Sequence, residues 1–161
     1  MDEPETDKQP PPPKPKFFLS AVTQEFGSLR RKVDEVVRFL GGETESMEIW
    51  GTESGDLRDI LREKIDSCDE IIQIVGVGYG AEPPTVDSEY GRVSYTQYEV
   101  LYAIQQGKKP YLLFAGNECR RDCPVEKLDI PPQEYPDPEE YQEERRDLQA
   151  AYRAQLREGG H

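Results

Sequence analysis

The chain has 161 residues, with 33 acidic side chains against 20 basic ones, a formal net charge of −13 and a sequence pI near 4.6. That balance argues against a phosphate-backbone binder, which needs a cationic face to release counterions, so nucleic acid is not expected as the main partner. The only histidine is the terminal His161, and Cys119 and Cys123 do not have C-x-x-C spacing, which excludes Ser-His-Asp, Cys-His and histidine-ligated metal chemistry.

The third cysteine, Cys68, leaves an odd number, which reads as free thiols in a reducing cytosol. Nothing at the start has the basic-then-apolar pattern of a signal peptide, and no apolar run approaches the roughly 20 residues of a membrane span. A cytoplasmic protein with no membrane partner and no bound metal is expected. The excess of acid reads as a solvated surface with two acidic flanks.

Residues 1–16 hold six prolines among charged residues and no apolar cluster, the composition of a disordered or polyproline-like leader. Lys16 to Ala21 is a short apolar run ending in small residues, a buried strand. Thr23 offers an N-cap, and Phe26, Leu29, Val33, Val36, Val37 and Leu40 recur at helical spacing until Gly41-Gly42 ends the helix. Met47 to Trp50 reads as a second strand, residues 51–56 as a loop, and Leu57, Ile60, Leu61, Ile65 and Cys68 as one side of a second helix. Ile71 to Gly76 is an almost unbroken apolar run of the kind a central parallel strand shows. A long Gly- and Pro-containing loop leads to a helix capped by Ser94 and running to Ile104, and Lys109 to Ala115 supplies a fourth strand.

After Gly116 the chain turns polar and Pro-rich, then ends in a charged helix from Glu139 to Glu158 that reads as a connector to a further domain. The organisation expected is therefore a leader at 1–16, one domain at 17–116, and a linker with a C-terminal helix at 117–161.

Alternating strands and helices are the pattern of a parallel α/β sheet covered on both faces. In the flavodoxin-like order, ligands bind beyond the carboxyl ends of the first and third strands. That crevice would be bordered by Ser20 and Ala21, by residues 50–56 and by Gly76 to Gly80. Glu99, in the first two turns of the helix that starts at the same edge, can look into it. A position near a helix N-terminus favours an ionised carboxylate.

Three other features carry competing readings. Gly76-Val77-Gly78-Tyr79-Gly80-Ala81 fits a G-x-G-x-x-A fingerprint, but Glu82-Pro83-Pro84 follows instead of a helix, so the segment reads as a loop beside the pocket. Tyr79 in that loop either faces a ligand or is exposed, and Trp50 is either a stacking surface at the pocket mouth or the end of a strand packed on the core. Arg120-Arg121 reads as a solvated turn.

The segments Phe17 to Ser20, the loop after Trp50, Ser67 to Glu70 leading into Ile71 to Gly76, and Ser94 to Ile104 followed by Gly107 to Pro110 resemble, in this order, Toll/interleukin-receptor (TIR) domains, in particular the bacterial ones of defence and signalling proteins. The resemblance covers Phe17 to Ala115. It implies a flavodoxin-like fold and, for catalytic members, an NAD glycohydrolase that releases nicotinamide and uses NAD as substrate, with no cofactor. Glu99 then matches the catalytic glutamate and Tyr95 the aromatic four residues earlier. Ser20 and Ala21 match the small residues after the first strand, and 50–56 the loop that gates the pocket and mediates self-association. The chain departs from the pattern in its long 76–93 loop and in Tyr95, where several members carry tryptophan. Two alternatives stand beside this reading: a non-catalytic TIR assembly module, and a nucleoside deoxyribosyltransferase-like enzyme that uses the glutamate as a nucleophile.

Overall fold

The computed structural model describes residues 10–50 and 55–160. Four parallel strands form one sheet in the order β2-β1-β3-β4: β1 is Lys16–Ser20, β2 Glu43–Glu45, β3 Glu70–Val75 and β4 Pro110–Phe114. The helices are α1 (Thr23–Phe39), α2 (Arg58–Asp66), α3 (Tyr95–Gln105) and α4 (Pro138–Glu158), with a short 3₁₀ turn at Val125–Lys127. This is the flavodoxin-like α/β arrangement, with β1 and β3 central and the order reversing between them.

Alternation along the strands divides the core in two. Phe18, Ile71 and Val75 point to one face and join Leu61, Ile65, Tyr98, Val100, Tyr152 and Leu156 in the larger cluster. Ile74 points to the other face and meets Ala21 and Phe26 beneath α1, with Leu29 and Val33 packed against them. Because α3 lies within the larger cluster, Tyr95, Gln97, Tyr98, Glu99, Val100, Tyr102 and Ala103 are all buried, with little amphipathic contrast around the helix. A capping box holds its start: Gln97 N donates to Ser94 Oγ at 3.2 Å, and Ser94 N to Gln97 Oε1 at 3.4 Å.

The second strand differs from the sequence expectation. It forms at Glu43–Glu45, not at Met47 to Trp50, and pairs with β1 from Lys16↔Glu43 to Phe18↔Glu45. An edge strand needs no continuous apolar run, so the polar Glu-Thr-Glu can fill it, while Met47 and Ile49 pack on the core from an irregular segment. Thr23 is likewise not the N-cap of α1. Val22 occupies that position, and the Thr23 hydroxyl is used inside the protein instead.

The C-terminal helix is packed into the same core as the sheet. Tyr152 and Leu156 are buried in the larger cluster, and Gln149 Nε2 donates to the Gly76 carbonyl at 3.0 Å. The sequence expectation of a connector missed this face because two of its four buried residues, Arg145 and Gln149, are polar. Asp137 caps α4 by accepting from Glu140 N, with Pro138 at its first turn.

Residues 10–15 of the expected leader are exposed without helix or strand, and its residues 1–9 lie outside the described part, as do 51–54 of the expected gating loop and His161. Among the described residues, no helix is long and apolar enough to cross a membrane.

Candidate functional site

Ser20 ends β1 and is the register partner of Gln73 in β3, so both side chains rise from the sheet toward α3. Glu99 sits one turn into α3, directly above them. Ser20 Oγ donates to Glu99 Oε2, and Gln73 Nε2 donates to Ser20 Oγ at 2.7 Å. Glu99 is 3 % exposed. Burial pushes its carboxyl up to about 8, while the Ser20 hydrogen bond and the positive charge of Arg30 pull the other way. The sequence expectation is an ionised carboxylate favoured by the helix N-terminus; in the structure burial is the largest influence on the group and favours its neutral form.

Arg30 is the residue the sequence reading missed. It is buried on the inner face of α1, where Nη1 donates to the carbonyls of Ala21 (3.2 Å) and Met47 (3.4 Å) and Nη2 to Thr23 Oγ1 (3.1 Å). Burial lowers its pKa, and Glu99 is the first charge that opposes the fall. A signal was present, since Arg30 lies four residues after Phe26 and three before Val33, on the apolar stripe.

Glu99 lines a crevice of about 10 Å³ with Ala21, Met47, Tyr95 and Thr96. Above it opens a cleft of about 510 Å³ at the carboxyl ends of β1 and β3. Val22, Ile49, Gly80, Ala81 and Tyr95 border both spaces, so the small crevice that Glu99 lines adjoins the cleft behind a shared wall. A volume of this size is within the about 300–1,000 Å³ of small-molecule sites. Tyr95 is fixed in the wall: its hydroxyl accepts from Leu57 N at 3.2 Å and donates to the Gly55 carbonyl at 3.4 Å.

Trp50 is 58 % exposed and lines the cleft, so of its two readings the position at the pocket mouth is the one realised. Tyr79 follows neither of its readings. It is fully buried, its hydroxyl donates to Glu82 Oε2 at 3.0 Å, and it lines neither space. The structure thus brings together Glu99, Ser20, Ala21 and Tyr95, places Trp50 at the outer cleft, and removes Tyr79.

The glycine-rich loop after β3 has a structural purpose. Glu25, buried in the first turn of α1, accepts from Val77 N (3.2 Å) and Gly78 N (2.9 Å), and Asp129 accepts from Tyr79 N (2.9 Å) and Gly80 N (3.0 Å). Carboxylates hold the amides that a phosphate-binding loop would offer to its ligand. Gly76 is required by close approach, since a Cβ there would lie 2.3 Å from Glu25 Oε1. Arg121 closes this cluster with Nε 2.9 Å from Glu25 Oε1, so it is a buried ion-pair partner and not part of a solvated turn.

At the outer end of the cleft Arg145 from α4 is the one cation among the described lining residues. It bonds Glu82 Oε1 at 2.8 Å and lies over the Tyr141 ring at 3.2 Å. Neither a curated protein nor a solved structure matches the chain. A protein-family model does match, over residues 16–158, from the start of β1 to the end of α4 and so across every element that builds the cleft. The chain belongs to the family described as Domain of unknown function (DUF4062).

Proposed function

We propose that the protein is an NAD glycohydrolase of the TIR type, cleaving the bond between nicotinamide and ribose with Glu99 as the catalytic carboxylate. The observation that carries this reading is the burial of Glu99 in a crevice that shares its wall with a cleft of about 510 Å³, the carboxyl held by Ser20 and flanked by Tyr95. A solvated surface glutamate would show none of this.

The chemistry needs one carboxylate. The C1′–N bond breaks with its electron pair passing to the positively charged nicotinamide ring, which leaves neutral and needs no proton. The ribosyl cation that remains is stabilised by ionised Glu99, and water adds to C1′ with loss of a proton, giving ADP-ribose. A cationic nicotinamide ring beside Glu99 favours the ionised carboxylate, so substrate binding itself shifts the group toward its working form. Tyr95 supplies an aromatic edge beside the base, and Trp50 an apolar surface at the mouth.

The crevice is too small for a ribose ring, so catalysis requires a wall to move. The wall expected to move is the irregular segment Met47–Ile49, whose attachments to Arg30 and Thr23 are 3.4 and 3.3 Å long. Its withdrawal joins crevice to cleft.

One observation favours a second reading. The burial of Glu99, which raises its pKa, also suits a nucleoside, whose uncharged base leaves more readily when protonated. Incubation of the full chain at high concentration with NAD and, separately, with purine and pyrimidine nucleosides decides between them by chromatography. Self-association, which the TIR resemblance implies, makes concentration matter. Nicotinamide and ADP-ribose from the wild type and none from Glu99→Ala support the first reading. Free base from nucleosides alone supports the second, and inertness toward both supports a non-catalytic assembly module.

A further inference from the structure

A chain of hydrogen bonds runs from α4 to Glu99. The Tyr152 hydroxyl donates to Gln73 Oε1 at 2.5 Å; Gln73 Nε2 donates to Ser20 Oγ at 2.7 Å; Ser20 Oγ donates to Glu99 Oε2. The direction is fixed by chemistry. Gln73 Nε2 also donates to the Thr96 carbonyl at 2.8 Å, and since a carbonyl can only accept, the atom facing it is the nitrogen and Oε1 is left for Tyr152. Ser20 has a single hydroxyl proton, and facing the ionised carboxylate, which can only accept, that proton goes to Glu99. Every member is buried, Ser20, Gln73, Glu99 and Tyr152 each being at most 5 % exposed.

The second contact of α4 lies one turn away on the same face. Gln149 Nε2 donates to the Gly76 carbonyl at 3.0 Å, and its Oε1 accepts from Gln97 Nε2 at 2.9 Å, the residue that closes the capping box of α3. One helix face therefore reaches both the strand beneath Glu99 and the turn that starts its helix.

We propose that Tyr152 is a positioning residue for Glu99, acting through Gln73 and Ser20, so that docking of α4 sets the orientation and ionisation of the carboxylate. The proposal rests on the reading of Glu99 as the catalytic carboxylate. Tyr152 does not line the crevice or the cleft and touches no substrate. Aligned donors polarise one another, so the bond that reaches Glu99 is stronger than an isolated serine would make, and it favours the ionised form. The charged group acting on Glu99 is Arg30 from α1, with Ser20 of β1 as the direct donor, and the charge of Glu99 in turn raises the pKa of the Tyr152 hydroxyl on α4.

The test compares the full wild-type chain with Tyr152→Phe, which keeps the ring and removes the hydroxyl, and with Gln73→Met, which breaks the next link. Two readouts are taken: the kcat and KM of nicotinamide release across pH, and the titration of the Glu99 carboxyl by ¹³C resonance, identified by its loss in Glu99→Gln. The expected result is a fall in kcat of about tenfold with KM little changed, as for a group that orients another rather than binding substrate, and an upward move of the Glu99 midpoint in both variants. A residue that merely fills the core would lower stability and leave both readouts alone. Unchanged kcat and unchanged Glu99 titration in folded Tyr152→Phe overturn the proposal, and if that variant does not fold, Gln73→Met decides on the same criteria. Should the wild type release no nicotinamide, the glycohydrolase reading fails by itself, and the carboxyl titration alone upholds or overturns the relay.

Discussion

Glu99 is held between opposing forces: burial raises its pKa to about 8, and Ser20 and Arg30 restrain the rise. Folding therefore favours the protonated carboxyl. Its contribution to stability is fully present below the ordinary value of 4.5 and is lost as pH rises through about 8. Glu99→Gln, which cannot ionise, is expected to gain stability relative to the wild type as pH rises from 5 to 9, measured as the difference in urea midpoint at each pH. Arg30→Met removes the restraining cation and moves the Glu99 midpoint upward. At pH 7 each unit of that move lowers the ionised fraction, and hence nicotinamide release, by about tenfold. The shift of the acid limb of the pH profile, rather than the rate at one pH, separates this from lost packing. Glu99 was legible in the sequence because an aromatic stood four residues before it, in a helix starting at the ligand-binding edge of the sheet. Arg30 was not, because a charge on a helix is ordinarily read as solvated even when its spacing puts it on the apolar stripe.

At the scale of elements, the strands β1, β3 and β4 and helices α1 to α3 were visible as apolar runs and helical spacing. The edge strand β2 was not, since Glu43–Glu45 carries no apolar residue and its position follows from the turn at Gly41-Gly42 and from pairing with β1. Glu43 N donates to the Pro15 carbonyl at 2.8 Å and starts that pairing. The inner face of α4 was also hidden, although Arg145, Gln149, Tyr152 and Leu156 recur at spacings of four, three and four. Their polarity disguised a buried stripe, which the polar groups of Glu82, Gly76, Gln97 and Gln73 make possible. If α4 is a core element, Leu156→Ala, at a position 2 % exposed, costs about 2–5 kcal/mol in a denaturant titration. A helix serving only as a connector would tolerate that change with no shift in the midpoint.

Among the described residues the sheet and α4 share one core, and the cleft is assembled from segments far apart in the chain. Val22 and Gln24 come from the first crossover, Gly80 to Glu82 from the loop after β3, and Asp129 to Pro132, Tyr141 and Arg145 from the segment after β4. The family match over residues 16–158 has the same extent. A chain ending at Gly116 therefore loses part of the cleft and the bonds of α4 to Gln73, Gly76 and Gln97. It is expected to unfold without a cooperative transition in thermal scanning, whereas the chain through residue 160 unfolds cooperatively.

The most direct test of the account is nicotinamide release from NAD as a function of pH, for the wild type and Glu99→Gln at equal concentrations of folded protein. Because kcat/KM reports the free enzyme and the ionised carboxylate is the working form, the account predicts a wild-type kcat/KM that rises with pH and levels off above about 8, and no release at any pH from Glu99→Gln. Release by Glu99→Gln at the wild-type rate, or no release from the wild type at any pH, would contradict it.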